Sequence, residues 1–326
     1  MSELLHGLGK VGIGLGAVAV FLGVLLIVFF VASRARGRAQ GVVAGIVFLG
    51  PAILLLAYGL IVPTFRTTVG SFQNEGGNKF IGFKNYIWVF TAPDNWHFLL
   101  NTLLWIIITP ILSTALGLTL ALLLDRMRRE SVAKSIIFMP MAISFVGAGI
   151  IWGLIYEYRD PSQAQVGLLS QVVMWLGVKD PPNWLLWTPF NNFLLMLIMV
   201  WIQVGFAMVV LSAAIKAIPR DVVEAAELDG AVGVSLFRRV TIPMIRGSLV
   251  VVFTTIMIAV LKIFDIVRVM TNGNFGTQIV SNEMYAQAFV QFDVGRGSAL
   301  AVVLFVAVIP LIAYNVHQLR KERAVR

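Results

Sequence analysis

Seven stretches of this chain are apolar for long enough to cross a bilayer as helix, which takes about 20 residues, and that constrains the fold more than any other feature. They fall near residues 11–31, 41–63, 98–124, 135–157, 191–213, 247–269 and 295–317. Inside lipid a backbone must satisfy its own hydrogen bonds, and runs of this length do so as helices. The expected fold is therefore all-α, a polytopic membrane helical bundle of seven transmembrane helices. Composition agrees: 59% of the residues are hydrophobic and 13% charged, outside the range of a soluble domain. With no cysteine, disulfides and thiolate metal sites are excluded.

Charge placement orients the bundle. Arg34, Arg36 and Arg38 follow the first apolar run, and little charge precedes it. A cleaved signal has the reverse order, so the run reads as a retained span with its N-terminus outside. Alternate loops then carry Arg126, Arg128, Arg129 and Lys134; Lys216, Arg220, Arg238, Arg239 and Arg246; and, at the end, Arg320, Lys321, Arg323 and Arg326. These basic loops and the C-terminus belong on the cytoplasmic side. The net charge of +9 is thus a topology signal directed at lipid, not at nucleic acid. Between the second and third basic clusters, Val166 to Leu176 reads as an amphipathic helix at the outer interface, with Trp184 as an anchor.

The longest polar segment between two spans on the inner side is 214–246. Pro219 suits a first helical position, and Asp221 to Leu228 are good helix formers. Gly230 can adopt the left-handed conformation that ends a helix. A second short helix is expected from Val234 to Arg239, stopping before Pro243. This makes a helix–Gly–helix elbow on which Ala225 and Ala226 allow close approach, while Glu224, Glu227, Arg238 and Arg239 offer polar contacts.

Ionisable groups within the bilayer are functional candidates by default. Lys262, Asp265 and Arg268, three apart, share a face if the sixth span is one helix. Two readings are open: a structural ion cluster that staples the bundle, or a polar lining of a solute path. On the fifth span Met199, Gln203 and Phe206 share a face, and Gln203 needs a partner, either another helix or a solute. The comparable face of the sixth span, Ile256, Val260 and Ile263, is apolar. Catalysis lacks its parts: His6, His97 and His317 lie near span ends, and Gly7-Leu8-Gly9-Lys10 is no phosphate loop. This chain does not hydrolyse ATP by itself.

Glu224-Ala225-Ala226, three residues, Gly230, nine residues and Val240-Thr241-Ile242-Pro243 together resemble the EAA loop of permeases of ATP-binding-cassette importers. Val240 and Ile242 depart from that pattern conservatively. Ile218-Pro219 and Asp229-Gly230-Ala231 are similar to the carbohydrate-uptake branch, as is Phe83-Lys84-Asn85-Tyr86. Thr271-Asn272-Gly273-Asn274-Phe275-Gly276-Thr277 resembles the alpha-glucoside (maltose/trehalose) members; a turn of this composition is expected to bend sharply and bury one anchor, Phe275. The resemblance covers most of the chain from residue 41, so 1–40 reads as an added span with a basic linker and 41–326 as a six-span importer core.

The resemblance implies that Glu224, Ala225, Ala226, Asp229, Gly230 and Pro243 dock an ATPase, and that Met199, Gln203, Phe206 and Asp265 border the substrate path. It implies a bacterial or archaeal cytoplasmic membrane, a second permease subunit, an ATPase dimer that binds ATP and Mg, and an extracytoplasmic sugar-binding protein. No cofactor is expected on this chain, whose surroundings are membrane lipid. The alternatives are a secondary transporter coupled to an ion through Asp265, or a permease for glycerol-phosphate or another oligosaccharide.

Overall fold

The computed structural model describes residues 39–325 apart from Arg126 and Pro161, with isolated helical positions before residue 31. The span expected over 11–31, with the side on which the N-terminus lies, is outside the described residues. The chain divides into two compact units, up to Thr67 and from Thr68 onward. In the first, α1 (Ala39–Leu56) continues through a π turn, Ala57–Ile61, into Val62–Gly70, a helix that runs on into the second unit. Leu54, Leu55, Tyr58, Leu60 and Phe65 along this first element are exposed, as befits a lipid-facing helix.

The second unit contains α2 (Lys84–Thr91), α3 (Asn95–Leu124), α4 (Glu130–Phe138), α5 (Phe145–Ile155), α6 (Leu168–Trp175) and α7 (Phe190–Lys216). After these come α8 (Arg220–Leu228), α9 (Val234–Met244, with a π turn at Phe237–Thr241), α10 (Arg246–Leu261), α11 (Asp265–Met270), α12 (Val280–Tyr285) and α13 (Val294–Val325). Among the described residues no strand is formed; Gln73 and Phe80 make one isolated bridge.

The core lies between α3 and α7. Trp105, Thr109, Ser113, Gly117 and Ala121 recur every four residues on the buried side of α3, while Leu103, Ile107 and Ile111 are exposed. Small and polar residues face protein and branched aliphatics face outward, because lipid is as apolar as leucine and association depends on close packing. Gly117 sets that closeness: a Cβ there would sit 2.4 Å from the Cβ of Ala207 on α7.

Among the described residues four helices are long and apolar enough to cross a membrane unbroken: Phe48–Gly70, Asn95–Leu124, Phe190–Lys216 and Val294–Val316. Two more candidates are bent pairs, so the described residues hold four to six spans. The span expected over 135–157 is broken by 102° between Ala142 and Phe145. Pro140 sits in a 3-10 turn there, Ile143 is extended, and Ser144 restarts the helix by accepting from the Gly147 amide at 3.0 Å, a helix cap. The span expected over 247–269 stops at Leu261. Lys262 leaves the helix to an exposed position, and Ser281 donates to the freed carbonyl of Ile263.

The outer segments also differ in detail from expectation. The helix expected from Val166 forms as α6, but Trp184 is buried, its indole donating to Ser170 Oγ at 2.8 Å. It is a core residue, because a hydroxyl partner lies within reach. The 271–277 turn is sharply bent, with positive φ at Asn272, Gly273, Phe275 and Gly276. The Phe275 ring is 51% exposed, so it is no buried anchor. Its carbonyl is held instead, by Thr188 Oγ1 and Asn191 Nδ2, both at 2.8 Å.

Candidate functional site

Two regions collect the candidate residues, and α7 joins them. At one end α7 stops at Lys216, and Pro219, with extended ψ, precedes α8 by one position. Asp221 in the first turn complements the helix dipole. At the C-terminus the Ala231 amide donates to Ala226 O at 2.9 Å and the Gly230 amide to Glu227 O at 3.0 Å. This paired closure is a Schellman motif, which needs a left-handed residue, and Gly230 has φ +85°.

Glu224, Ala225 and Asp229 are exposed, Ala226 half-buried and Pro243 exposed. Among the described residues Glu224, Glu227, Asp229, Arg238 and Arg239 form no ion pair with one another or with anything else. Val222, Leu228, Val232 and Val234 are exposed beside them, Leu228 almost fully at 89%. An elbow with apolar residues and unpaired charges side by side is unfinished surface, of the kind a partner covers.

One expectation for the elbow fails. The second helix does not stop before Pro243 but runs through it to Met244, via the π turn at Phe237–Thr241. Proline lacks the N–H that would bond four residues back and crowds that carbonyl; the wider turn just before Pro243 accommodates both. The chain then bends by 71° into α10.

Where the elbow leaves α7, a polar knot holds three helix ends together, and the sequence reading missed it. Lys134 on α4 meets Asp125 at 2.8 Å and Glu130 at 2.5 Å. Lys216 also bonds Glu130, and Ser212 donates to Asp125 at 2.7 Å. Asp125 follows α3, so one lysine ties α3, α4 and α7 where the elbow begins. The signal in the sequence was two acids and two lysines at the ends of otherwise apolar runs.

The second region is a cavity of about 440 Å³ at the two broken spans, lined by Met141, Ser144, Phe145, Ile202, Gln203 and Asp265 among others. The break after Ala142 opens one wall, and the break after Leu261 delivers Asp265 to another. Gln203 is buried and Asp265 half-buried, and among the described residues neither side chain has a hydrogen-bond partner. Two polar side chains that reach one cavity without a protein partner leave it suited to something polar.

The other candidates are placed differently. Met199 is fully buried in the α3–α7 core, with Phe206 packed against it. Ile256, Val260 and Ile263 are buried as well, so that face is packing and lines no path. The expected ion cluster does not form: Asp265 pairs with neither Lys262 nor Arg268 among the described residues. Ending α10 at Leu261 removes the one-helix spacing that would have aligned the three. Arg268 lies instead over the Tyr285 ring, 4.7 Å from its centroid, a cation–π contact.

Away from the elbow, amide side chains fix the 271–278 turn. Asn101 donates to Gly276 O at 2.7 Å and Gln278 O at 2.9 Å, Asn192 donates to Asn101 at 2.9 Å, and Trp105 donates to Asn192 at 2.8 Å. The turn is thereby tied to α3 and to α7, and α7 also lines the cavity and leads into the elbow.

Comparison with known proteins places these features in context. Residues 96–324 match the family described as "Binding-protein-dependent transport system inner membrane component". The osmoprotective compounds uptake permease protein GgtC of Synechocystis sp. is 46% identical over 86% of this chain and all of its own length. The alpha-glucoside transport system permease protein AglF of Rhizobium meliloti is 44% identical, over 84% of this chain and 82% of that protein. The trehalose/maltose permease protein MalF of Thermococcus litoralis is 30% identical, covering 81% of this chain and 90% of that one. In structure, a chain of a bacterial ABC transporter that imports alginate superposes with a TM-score of 0.72 at 19% identity, covering 84% of this chain and 94% of that one. That likeness is one of fold.

Proposed function

This chain belongs to the family of binding-protein-dependent transport system inner membrane components, and we propose that it carries an alpha-glucoside of the maltose or trehalose kind into the cytoplasm by alternating access. It is a membrane-embedded permease subunit of a sugar importer and not an enzyme; ATP is hydrolysed by a separate subunit. The alpha-glucoside assignment is supported by the similarity to the alpha-glucoside and trehalose/maltose permeases.

The observation that carries the reading is the cavity where Gln203 and Asp265 stand unpaired. A sugar offers hydroxyls that donate and accept at once; Asp265 would accept from one, and Gln203 would do either. Phe145 and Ile202 supply apolar surface for a pyranose face. Two of its walls belong to interrupted spans, which hold polar groups at depth where a cavity, not lipid, meets them. Changing the angle at either break would open the cavity to one side and close it to the other.

In the same reading the elbow receives the drive. An ATPase dimer with ATP and Mg would sit against Glu224, Ala225, Ala226, Asp229, Gly230 and Pro243, a second permease would complete the path, and a sugar-binding protein would deliver solute from outside, the elbow lying on the cytoplasmic side. The similarity to the osmoprotective compounds permease favours a second reading, a compatible solute as cargo. Both are tested by one experiment. The chain is purified with its co-expressed neighbours, and maltose, trehalose and a panel of compatible solutes are compared for stimulation of ATP hydrolysis. Stimulation by the alpha-glucosides supports the first reading; stimulation by none of them, with a compatible solute active, replaces it with the second.

A further inference from the structure

At the elbow end of the bundle, α4, the loop before it and α7 enclose an open cleft of about 870 Å³, lined by Met127, Arg128, Arg129, Val132, Phe138 and Val209 among others. Glu130, Lys134 and Lys216 of the polar knot also line it, and there Lys134 and Lys216 meet Asp125 and Glu130. Two cations there face two carboxylates and the charge balances. Arg128 and Arg129 are left over: both are exposed, and among the described residues neither forms an ion pair. Met127, Val132, Phe138 and Val209 line the same cleft with exposed apolar surface.

The cleft therefore offers two uncompensated guanidinium groups and an apolar wall on helices that belong to membrane spans. Guanidinium forks suit phosphate oxygens, and the wall suits an acyl chain. Nucleic acid or an acidic protein surface would use the arginines but leave the wall uncovered. We propose that this cleft is a binding site for one anionic glycerophospholipid, its phosphate held by Arg128 and Arg129 and its acyl chain laid along Val132, Phe138 and Val209. The site is separate from the sugar cavity and does not depend on what the protein transports.

The test uses the full chain with whatever subunits accompany it, delipidated in mild detergent and titrated with dioleoyl phosphatidylglycerol or dioleoyl phosphatidylcholine under native mass spectrometry. Saturable binding of the phosphatidylglycerol is expected, with phosphatidylcholine binding at least about tenfold more weakly. R128A/R129A should weaken phosphatidylglycerol by about tenfold or more, from the loss of two cations near the headgroup. Val209→Phe, at an exposed position, should weaken it as well by filling the apolar part without touching charge. Binding unchanged in R128A/R129A would overturn the site. So would binding lost in that variant but untouched in Val209→Phe, which would mean surface attraction alone, and so would displacement of the lipid by millimolar inorganic phosphate, which would mean a free-anion site.

Discussion

Gln203 on α7 and Asp265 at the start of α11 line one cavity, and among the described residues neither side chain has a hydrogen-bond partner. That relationship separates a solute path from a structural staple. Removing Asp265 breaks no ion pair, so Asp265→Ala should leave the detergent melting temperature essentially unchanged, and Asp265→Ala with Lys262→Ala should rescue nothing. Sugar uptake should fall in both. A charged hydrogen bond to substrate is worth about 1.5–3 kcal/mol, or roughly tenfold to a hundredfold in affinity. A large stability loss restored by the second change would establish stapling instead.

Gln203→Leu conserves bulk and removes one neutral hydrogen-bonding group worth about 0.5–1.5 kcal/mol. Transport should weaken by up to about tenfold with folding intact. The measurement is concentration-dependent uptake in reconstituted vesicles, and an unaltered half-saturation concentration would take Gln203 out of the path.

The polar knot makes its own graded prediction. Lys134, with its side chain 16% exposed, holds both Asp125 and Glu130, and removing it leaves the half-exposed Lys216 alone to face both carboxylates. Lys134→Ala should cost about 2–4 kcal/mol. Lys216, 51% exposed, should cost less than about 1 kcal/mol when changed to alanine. Thermal unfolding in detergent would show the order, and equal effects would mean that the knot does not join the helices through Lys134.

Gly230 has φ +85° with nothing within 4 Å of where its Cβ would be. The strain of a substitution there is all in the backbone. Gly230→Val should cost about 1–2 kcal/mol and disturb the elbow, whereas Gly230→Asn should be milder because asparagine tolerates the left-handed region. Gly117 is the opposite case, limited by space: Gly117→Val should separate α3 from α7 and abolish folded protein, while Gly153→Ala, whose nearest neighbour is Met270 Sδ at 3.8 Å, should be silent. Fluorescence-detected size-exclusion profiles would rank all four.

Much of this was legible in the sequence because its signals were strong and local. Long apolar runs gave the α3, α7 and α13 spans almost to the residue, and Gly230 after Leu228-Asp229 marked a left-handed helix end. What escaped was decided by contacts between distant residues. Lys262 looks like one more position on a helix until its side chain is seen at an exposed position and the chain re-enters as α11. Pro140 and Ser144 hold the signals for a 102° break, a proline and a cap, yet an apolar window averages over both. Pro243 was a stop signal that the π turn overrode. Asn191 and Asn192, adjacent amides at the start of an apolar helix, could have pointed to the 271–278 turn, but only the fold brings Asn101 to them.

The most direct test of the account is ATP hydrolysis by the assembly that co-purifies with this chain, measured with sugar-binding protein and alpha-glucoside present, for the natural protein and for Glu224→Ala. Glu224 is exposed at the elbow and has no ion-pair partner among the described residues, and a charged hydrogen bond across such an interface is worth about 1.5–3 kcal/mol. The account predicts that Glu224→Ala inserts and folds normally, retains less ATP-hydrolysing subunit and loses sugar-stimulated hydrolysis together with uptake. Full retention of that subunit with undiminished sugar stimulation would contradict it.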